Sequence, residues 1–272
     1  MELPMKNLLA LFGTLSILAA CGDSGTGGAG GDGGSGGVGG DGGSAGATVE
    51  PVCSEPVAVP CEDEVILGMN LKTTVSPTSI TNEPDGDGFA SLIDATAGGP
   101  FNADPPSHTY GKFTENGLEK VEINDEDALT SMDWDISFRR YVGRINSGNS
   151  GPSCVSAARL PGMPVYDSIS SVEEGLTFRT DEYFTDTCEL IADGTGLEGS
   201  PATALSSYWT YPGCVQMTDN VYIVRLADGR TLKLTVTNFY DEAAQESCDS
   251  SGSVPMGDTG SGNIRVRWAF VP

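Results

Sequence analysis

Residues able to do chemistry are few and scattered in this 272-residue chain. Its single histidine, His108, lies in Pro105-Pro106-Ser107-His108-Thr109, a setting that predicts an exposed loop residue. As a base or ligand it would act alone, so any site built from two imidazoles is excluded. Asp258-Thr259-Gly260-Ser261 matches the aspartic-protease signature. That chemistry needs two carboxylates sharing a proton, and this single copy sits in a Gly/Ser loop. Ser35 and Ser44 stand in Gly-x-Ser-x-Gly, but inside a Gly-rich tract with neither the strand nor the helix of a nucleophile elbow. Asp85-Gly86-Asp87-Gly88 lacks the last acid of an EF-hand loop and reads as a tight acidic turn. None of these motifs supports catalysis, and no enzyme is expected.

The cysteines carry more information. Residues 1–20 hold one lysine, then an apolar run from Leu8 to Ala20 that ends Leu18-Ala19-Ala20-Cys21. The run is too short to span a bilayer and reads as a signal-peptide core. Small residues before a cysteine at that distance resemble the lipobox of bacterial lipoproteins. The resemblance implies cleavage before Cys21 and lipidation of its thiol and new amino terminus, and several acyl chains anchor stably. By enteric sorting rules, Gly22 at the next position implies the outer membrane. The other six cysteines are Cys53, Cys61, Cys154, Cys188, Cys214 and Cys248. An even set in an exported chain argues for three disulfides, and proximity favours Cys53–Cys61. No Cys-x-x-Cys pair supports a metal site.

The elements that must position these residues begin after a linker. Over residues 21–49 glycine dominates, and such a chain has too little to bury to offset its ordering entropy. Gly27–Ser35 and Gly36–Ser44 repeat a Gly-Gly-x-Gly-x-Asp start like that of calcium-binding β-rolls, yet Gly34 and Gly43 hold the places where core residues belong. Residues 50–272 form one domain. The net charge of −24 excludes nucleic-acid binding and a polybasic membrane mode. Val221–Ala227 and Arg230–Phe239 flank Asp228-Gly229, which predicts a hairpin with a two-residue loop, with Ile223 and Val221 facing Leu234 and Val236 across the core. Ile264, Val266, Trp268 and Phe270 alternate with Arg265 and Arg267, and Trp134, Ile136, Phe138 and Val142 alternate similarly. Helical signals are confined to 168–174 and 241–247. The pattern predicts an all-β, sandwich-like domain of two sheets with few or no helices.

Asp133-Trp134-Asp135-Ile136-Ser137-Phe138-Arg139-Arg140-Tyr141 is followed by Arg144 and by Asn146-Ser147-Gly148. Far downstream come Asp228-Gly229 and Lys233-Leu234. In this order, behind a lipobox, the blocks resemble the HmuY family of bacterial surface lipoproteins, from about Lys112 to Pro272. The resemblance implies a two-sheet β fold and capture of haem, which is handed to a TonB-dependent outer-membrane receptor. Some relatives grip haem with two histidines, one of them just after the Trp-Asp-Ile-x-Phe run. Here that place holds Arg139, which has no lone pair for iron. Other relatives use methionine, a chemically sound ligand. Met163, Met132 and His108 are therefore the candidate haem ligands, with Met217 also in the matching region. Arg140 is the candidate partner of a haem propionate. The alternative is a lipid-anchored surface protein that makes protein–protein or envelope contacts without haem.

Overall fold

A computed structural model describes residues 53–96, 106–197 and 199–272. The signal peptide expected over 1–20, Cys21 and the linker to residue 49 lie outside these residues, as do Ser35 and Ser44.

The described strands form three antiparallel sheets. The first runs in the order β1 (Ile80–Asp85), β2 (Gly88–Asp94), β12 (Asn263–Val271), β11 (Thr231–Asn238), β10 (Val221–Arg225) and β7 (Ser156–Arg159). The second has the order β4 (Gly117–Val121), β3 (Thr109–Thr114), β5 (Ile136–Arg139) and β6 (Val142–Ile145). A small third sheet pairs β8 (Trp209–Thr210) with β9 (Gln216–Met217), where two sheets were expected. This extra hairpin is held by helix α3 (Glu242–Ser251): Met217 N donates to Asp249 Oδ1 at 3.0 Å, and Cys214 is bonded to Cys248. The expected helix near 241–247 is thus real and longer, ending at left-handed Gly252 (φ 72°). The other, near 168–174, is only a 3₁₀ turn over Tyr166–Ser168. Two further short helices are α1 (Glu62–Gly68) and α2 (Asp125–Ala128).

The main core joins inward residues of the first sheet, among them Tyr222, Val224, Leu232, Leu234, Ile264, Val266 and Trp268, with Phe113, Leu118, Ile136, Phe138 and Ile145 of the second. Burying each such side chain stabilises the fold by about 1.5–3 kcal/mol. Trp268 meets Phe113 edge-on at 4.8 Å, and its indole N–H donates to Ser91 Oγ at 2.8 Å. The C-terminal strand therefore alternates as its sequence predicts.

The β10–β11 hairpin exists, but its register differs from the expected one. Tyr222 pairs with Leu234 and Val224 with Leu232. Leu226 N donates to Arg230 O at 2.8 Å around a three-residue loop, with Gly229 at φ 87°. One extra loop residue turns every β10 side chain to the other face, while Leu234 and Val236 of β11 keep the core face expected of them. Tyr222 and Val224 thus point into the main core. Val221 and Ile223 instead pack outward with Leu160, Tyr166 and Ile169. The Trp134 alternation also breaks. Ile136 and Phe138 enter the main core, whereas Trp134 packs in a separate cluster with Tyr110 and Ala128. The strand ends at Arg139, because Arg140 turns into the left-handed region (φ 56°).

The disulfides are Cys53–Cys154, Cys61–Cys188 and Cys214–Cys248. The Cys53–Cys61 pairing favoured by proximity is therefore wrong. The residues between these two run largely without helix, and Val57 N donates to Pro152 O. That bond lays the segment beside residue 152, close to Cys154, the partner that Cys53 takes. Each cysteine is left to bond the part of the domain it lies against.

Candidate functional site

On the second sheet, Tyr110 stands opposite Ser137, and Ser137 opposite Arg144. Cross-strand partners share a face. Ile136, Phe138 and Ile145 occupy the core face by alternation, so this polar row lies on the outer face. It is not in water: Tyr110, Ser137 and Arg144 are fully buried.

Two buried carboxylates frame the row. Asp125, at the start of α2, accepts from His108 N (2.8 Å), His108 Nδ1 (3.0 Å) and the Tyr110 hydroxyl (2.8 Å) through Oδ1. Its Oδ2 accepts from Lys72 N (3.1 Å) and Arg139 Nη1 (3.3 Å). Asp181 accepts from Ser150 Oγ (2.6 Å), Ala204 N (2.7 Å) and Ile145 N (2.9 Å). Arg144 lies between the two and makes no hydrogen bond to either. Its Nη1 donates to the Tyr110 hydroxyl (3.2 Å), which donates on to Asp125, and its Nε donates to Ser150 Oγ (3.1 Å), which donates on to Asp181. The cluster thus joins two guanidinium groups to two carboxylates, which is the condition for keeping charge in a dry interior.

The protonation states follow. Burial lowers His108 to about 3 against the pull of Asp125, so its imidazole is neutral. Its Nδ1–H then serves the Asp125 carboxylate, and Nε2 carries a lone pair with no partner among the described residues. Burial would raise Asp125, but His108, Arg144 and Arg139 outweigh it and hold the carboxyl well below its usual range. Burial wins at Asp181 and raises it to about 6, against the donors from Ser150, Ala204 and Ile145.

His108 is therefore not the exposed loop residue that its Pro/Ser surroundings predict: it is 1% exposed. Arg139, at the place where the family resemblance puts a histidine, is tied down. It donates to Met69 O, to Asn70 O at 3.1 Å and to Asp125. Arg140 donates to Ser261 O (3.2 Å) and Oγ (3.0 Å), and stands 5.4 Å from the Phe239 ring. Met132 is half-buried in the turn before Trp134, and Met217 is buried in β9. Met163 is 72% exposed in the turn after β7. These candidates thus belong to different parts of the fold. Asp135 accepts from Phe113 N at 2.8 Å, and Asp133 lies 4.0 Å from Lys112, so neither takes the arginine that a plain core strand would give it. Asp125, Asp181, Tyr110 and Ser150 are not evident from sequence. Asp125 sits in the acidic stretch Glu122–Asp127, which reads as solvated surface.

Two hollows bear on ligand binding. One, of about 520 Å³, lies between Pro60, Asn149, Glu182, Phe184 and Asp186. It offers carboxylates and neither thioether nor imidazole, a poor match for an anionic porphyrin. The other, of about 300 Å³, is lined by Arg159, Leu160, Met163, Thr218 and Asn220 among others, with no carboxylate. Here an exposed methionine and an arginine line the same hollow. One thioether and one cation are donors chemically compatible with haem, whereas Arg139 has no lone pair to offer iron. Among the described residues no group of three or more His, Cys, Asp or Glu could hold a metal ion, and no helix is long and apolar enough to cross a membrane.

A family model described as HmuY protein matches residues 104–251. Among solved structures, an HmuY-like protein from Bacteroides vulgatus, proposed to bind haem, aligns at 16% identity, covering 72% of this chain and 96% of the other, with a TM-score of 0.42. An apo HmuY analog from Tannerella forsythia aligns at 15% identity, covering 73% and 98%, with a TM-score of 0.37. No curated protein matches.

Proposed function

Because the chain belongs to the HmuY family, we propose that it is a lipid-anchored binding protein of the cell envelope that captures haem for a TonB-dependent outer-membrane receptor. Cys21 is the lipidation site in this reading, and the outer membrane is the destination. The observation that carries the haem reading is Met163, an exposed thioether at the wall of a carboxylate-free hollow. Haem would supply an iron atom open to a soft ligand, and a thioether favours its ferrous state. His108 has the lone pair but is buried, and Met132 lines neither hollow. Met163 therefore leads the candidate set.

The test is a haemin titration of the purified full chain, followed by its Soret band before and after reduction. We expect tighter binding on reduction and a methionine-ligated spectrum that Met163→Ala removes and that Met132→Ala and His108→Ala leave in place. A two-imidazole spectrum contradicts this reading. Weak, featureless association favours the second one, a surface lipoprotein that contacts other proteins without haem. The engagement of Arg139 by Asp125, Met69 O and Asn70 O supports that second reading, because it fills a place that relatives give to a ligand.

A further inference from the structure

In a chain of net charge −24 most cations find an anion or an aromatic ring. Lys112, Lys120, Arg139, Arg230 and Arg267 stand against carboxylates. Arg225 and Lys233 lie over Phe178 and Tyr166. Arg159, like Arg179 and Arg265, is not among these, and of the three it alone lines the Met163 hollow. Among the described residues no carboxylate, carbonyl or aromatic ring takes its guanidinium. It ends the edge strand of the first sheet, pairs with Tyr222, and is exposed at the wall of the Met163 hollow.

The rest of that wall makes Arg159 its only charge. Thr218 Oγ1 and Asn220 Nδ2 both donate to Ser207 O, at 2.8 and 2.7 Å, which uses the hydroxyl proton and one of the two amide protons. No acid lines the hollow; Asp219, between these two residues, is not part of its wall. A guanidinium without a partner, beside apolar Leu160 and the Met163 thioether, suits a flat apolar molecule that carries a carboxylate.

We propose that Arg159 receives a carboxylate of the ligand bound at Met163, namely a haem propionate. This rests on the haem reading above and moves the propionate contact from Arg140, which Ser261 and Phe239 already engage. Arg159 is a positioning residue and does not touch iron.

The experiment compares ferrous haem with its dimethyl ester, in which both propionates are neutral, on the purified full chain. The parent should prefer the free acid by about two- to fivefold, the range of an exposed ion pair. Arg159→Gln should abolish that preference, Arg159→Lys should restore part of it, and Arg140→Gln should leave it intact. A preference that survives Arg159→Gln, or that Arg140→Gln removes, overturns the proposal. If Met163→Ala removes the methionine spectrum while Arg159→Gln changes nothing, the haem reading stands and this inference alone falls. If the parent binds neither form, both fall together.

Discussion

Arg139 Nη1 lies 3.3 Å from Asp125 Oδ2, while His108 Nδ1 lies 3.0 Å from the other oxygen of the same carboxylate. One anion thus fixes both the cation at the end of β5 and the only imidazole of the chain. Arg139 also ties residues 69–70 to the second sheet, so Asp125 fixes the cation that makes this tie.

Asp125→Asn should therefore cost far more than a surface change. It leaves buried Arg144 and part-buried Arg139 with one carboxylate fewer, and breaking a buried pair costs about 3–5 kcal/mol. Asp133→Asn, at an exposed acid 4.0 Å from Lys112, should shift stability by no more than about 0.5 kcal/mol. Urea unfolding midpoints of the two variants decide this, and equal shifts would show that the cluster carries no net stabilisation.

The three disulfides should differ in how readily they reduce. Cys214 and Cys248 are 1% and 0% exposed, whereas the other four half-cystines are half-buried. The purified chain should show no free thiol among these six. Under graded reductant, Cys53–Cys154 and Cys61–Cys188 should open before Cys214–Cys248, because thiolate attack needs access. Loss of any one should cost about 2–5 kcal/mol. Alkylation at each step, followed by peptide mass mapping, gives the order. Early labelling of Cys248 is the contrary result.

Much of the β architecture is legible in the sequence, because alternation is a local signal. Ile264, Val266 and Trp268 point inward as their spacing predicts. The β10–β11 hairpin shows where that signal ends. Both of its faces are buried, so hydrophobicity cannot choose between registers one residue apart, and the choice falls to a loop whose length Asp228-Gly229 leaves open. The charged cluster is less legible still. Asp125, Arg144 and Asp181 lie far apart in the chain, and each reads as an ordinary surface charge until the fold brings them together. His108 follows two prolines and a serine, which describes its backbone setting and says nothing of Asp125 beneath it.

Cys21→Ser should release the protein from the membrane fraction. The prediction rests on the lipobox-like Leu18-Ala19-Ala20-Cys21 and on the short apolar run before it. Several acyl chains anchor where one would not, so the parent should remain with membranes after a carbonate wash and the variant should wash off. Retention of the variant would mean that something other than lipid on Cys21 holds the chain.

The buried ionisable groups predict two opposed pH effects on stability. His108 falls from an ordinary 6.5 to about 3 on folding. The unfolded chain therefore takes up a proton as the pH drops below about 6.5 while the folded chain does not. This contribution is fully present above that pH and is lost as the pH falls toward 3, by up to about 1.4 kcal/mol per pH unit. Asp181 and Asp135 act in the other direction. Burial raises both from 3.8 to about 6, so the folded chain takes up protons first, and stability rises as the pH falls from about 6 to 4. The terms oppose each other in the parent between pH 6 and 4. His108→Gln removes the imidazole and keeps an amide that can donate to Asp125, leaving the two acids unopposed. The stability of the parent relative to that variant should fall steadily from pH 6.5 to pH 4, read from urea unfolding at intervals of one pH unit. Two curves that run parallel across this range would mean that His108 gains its proton equally in both states, and that the neutral imidazole assigned here is wrong.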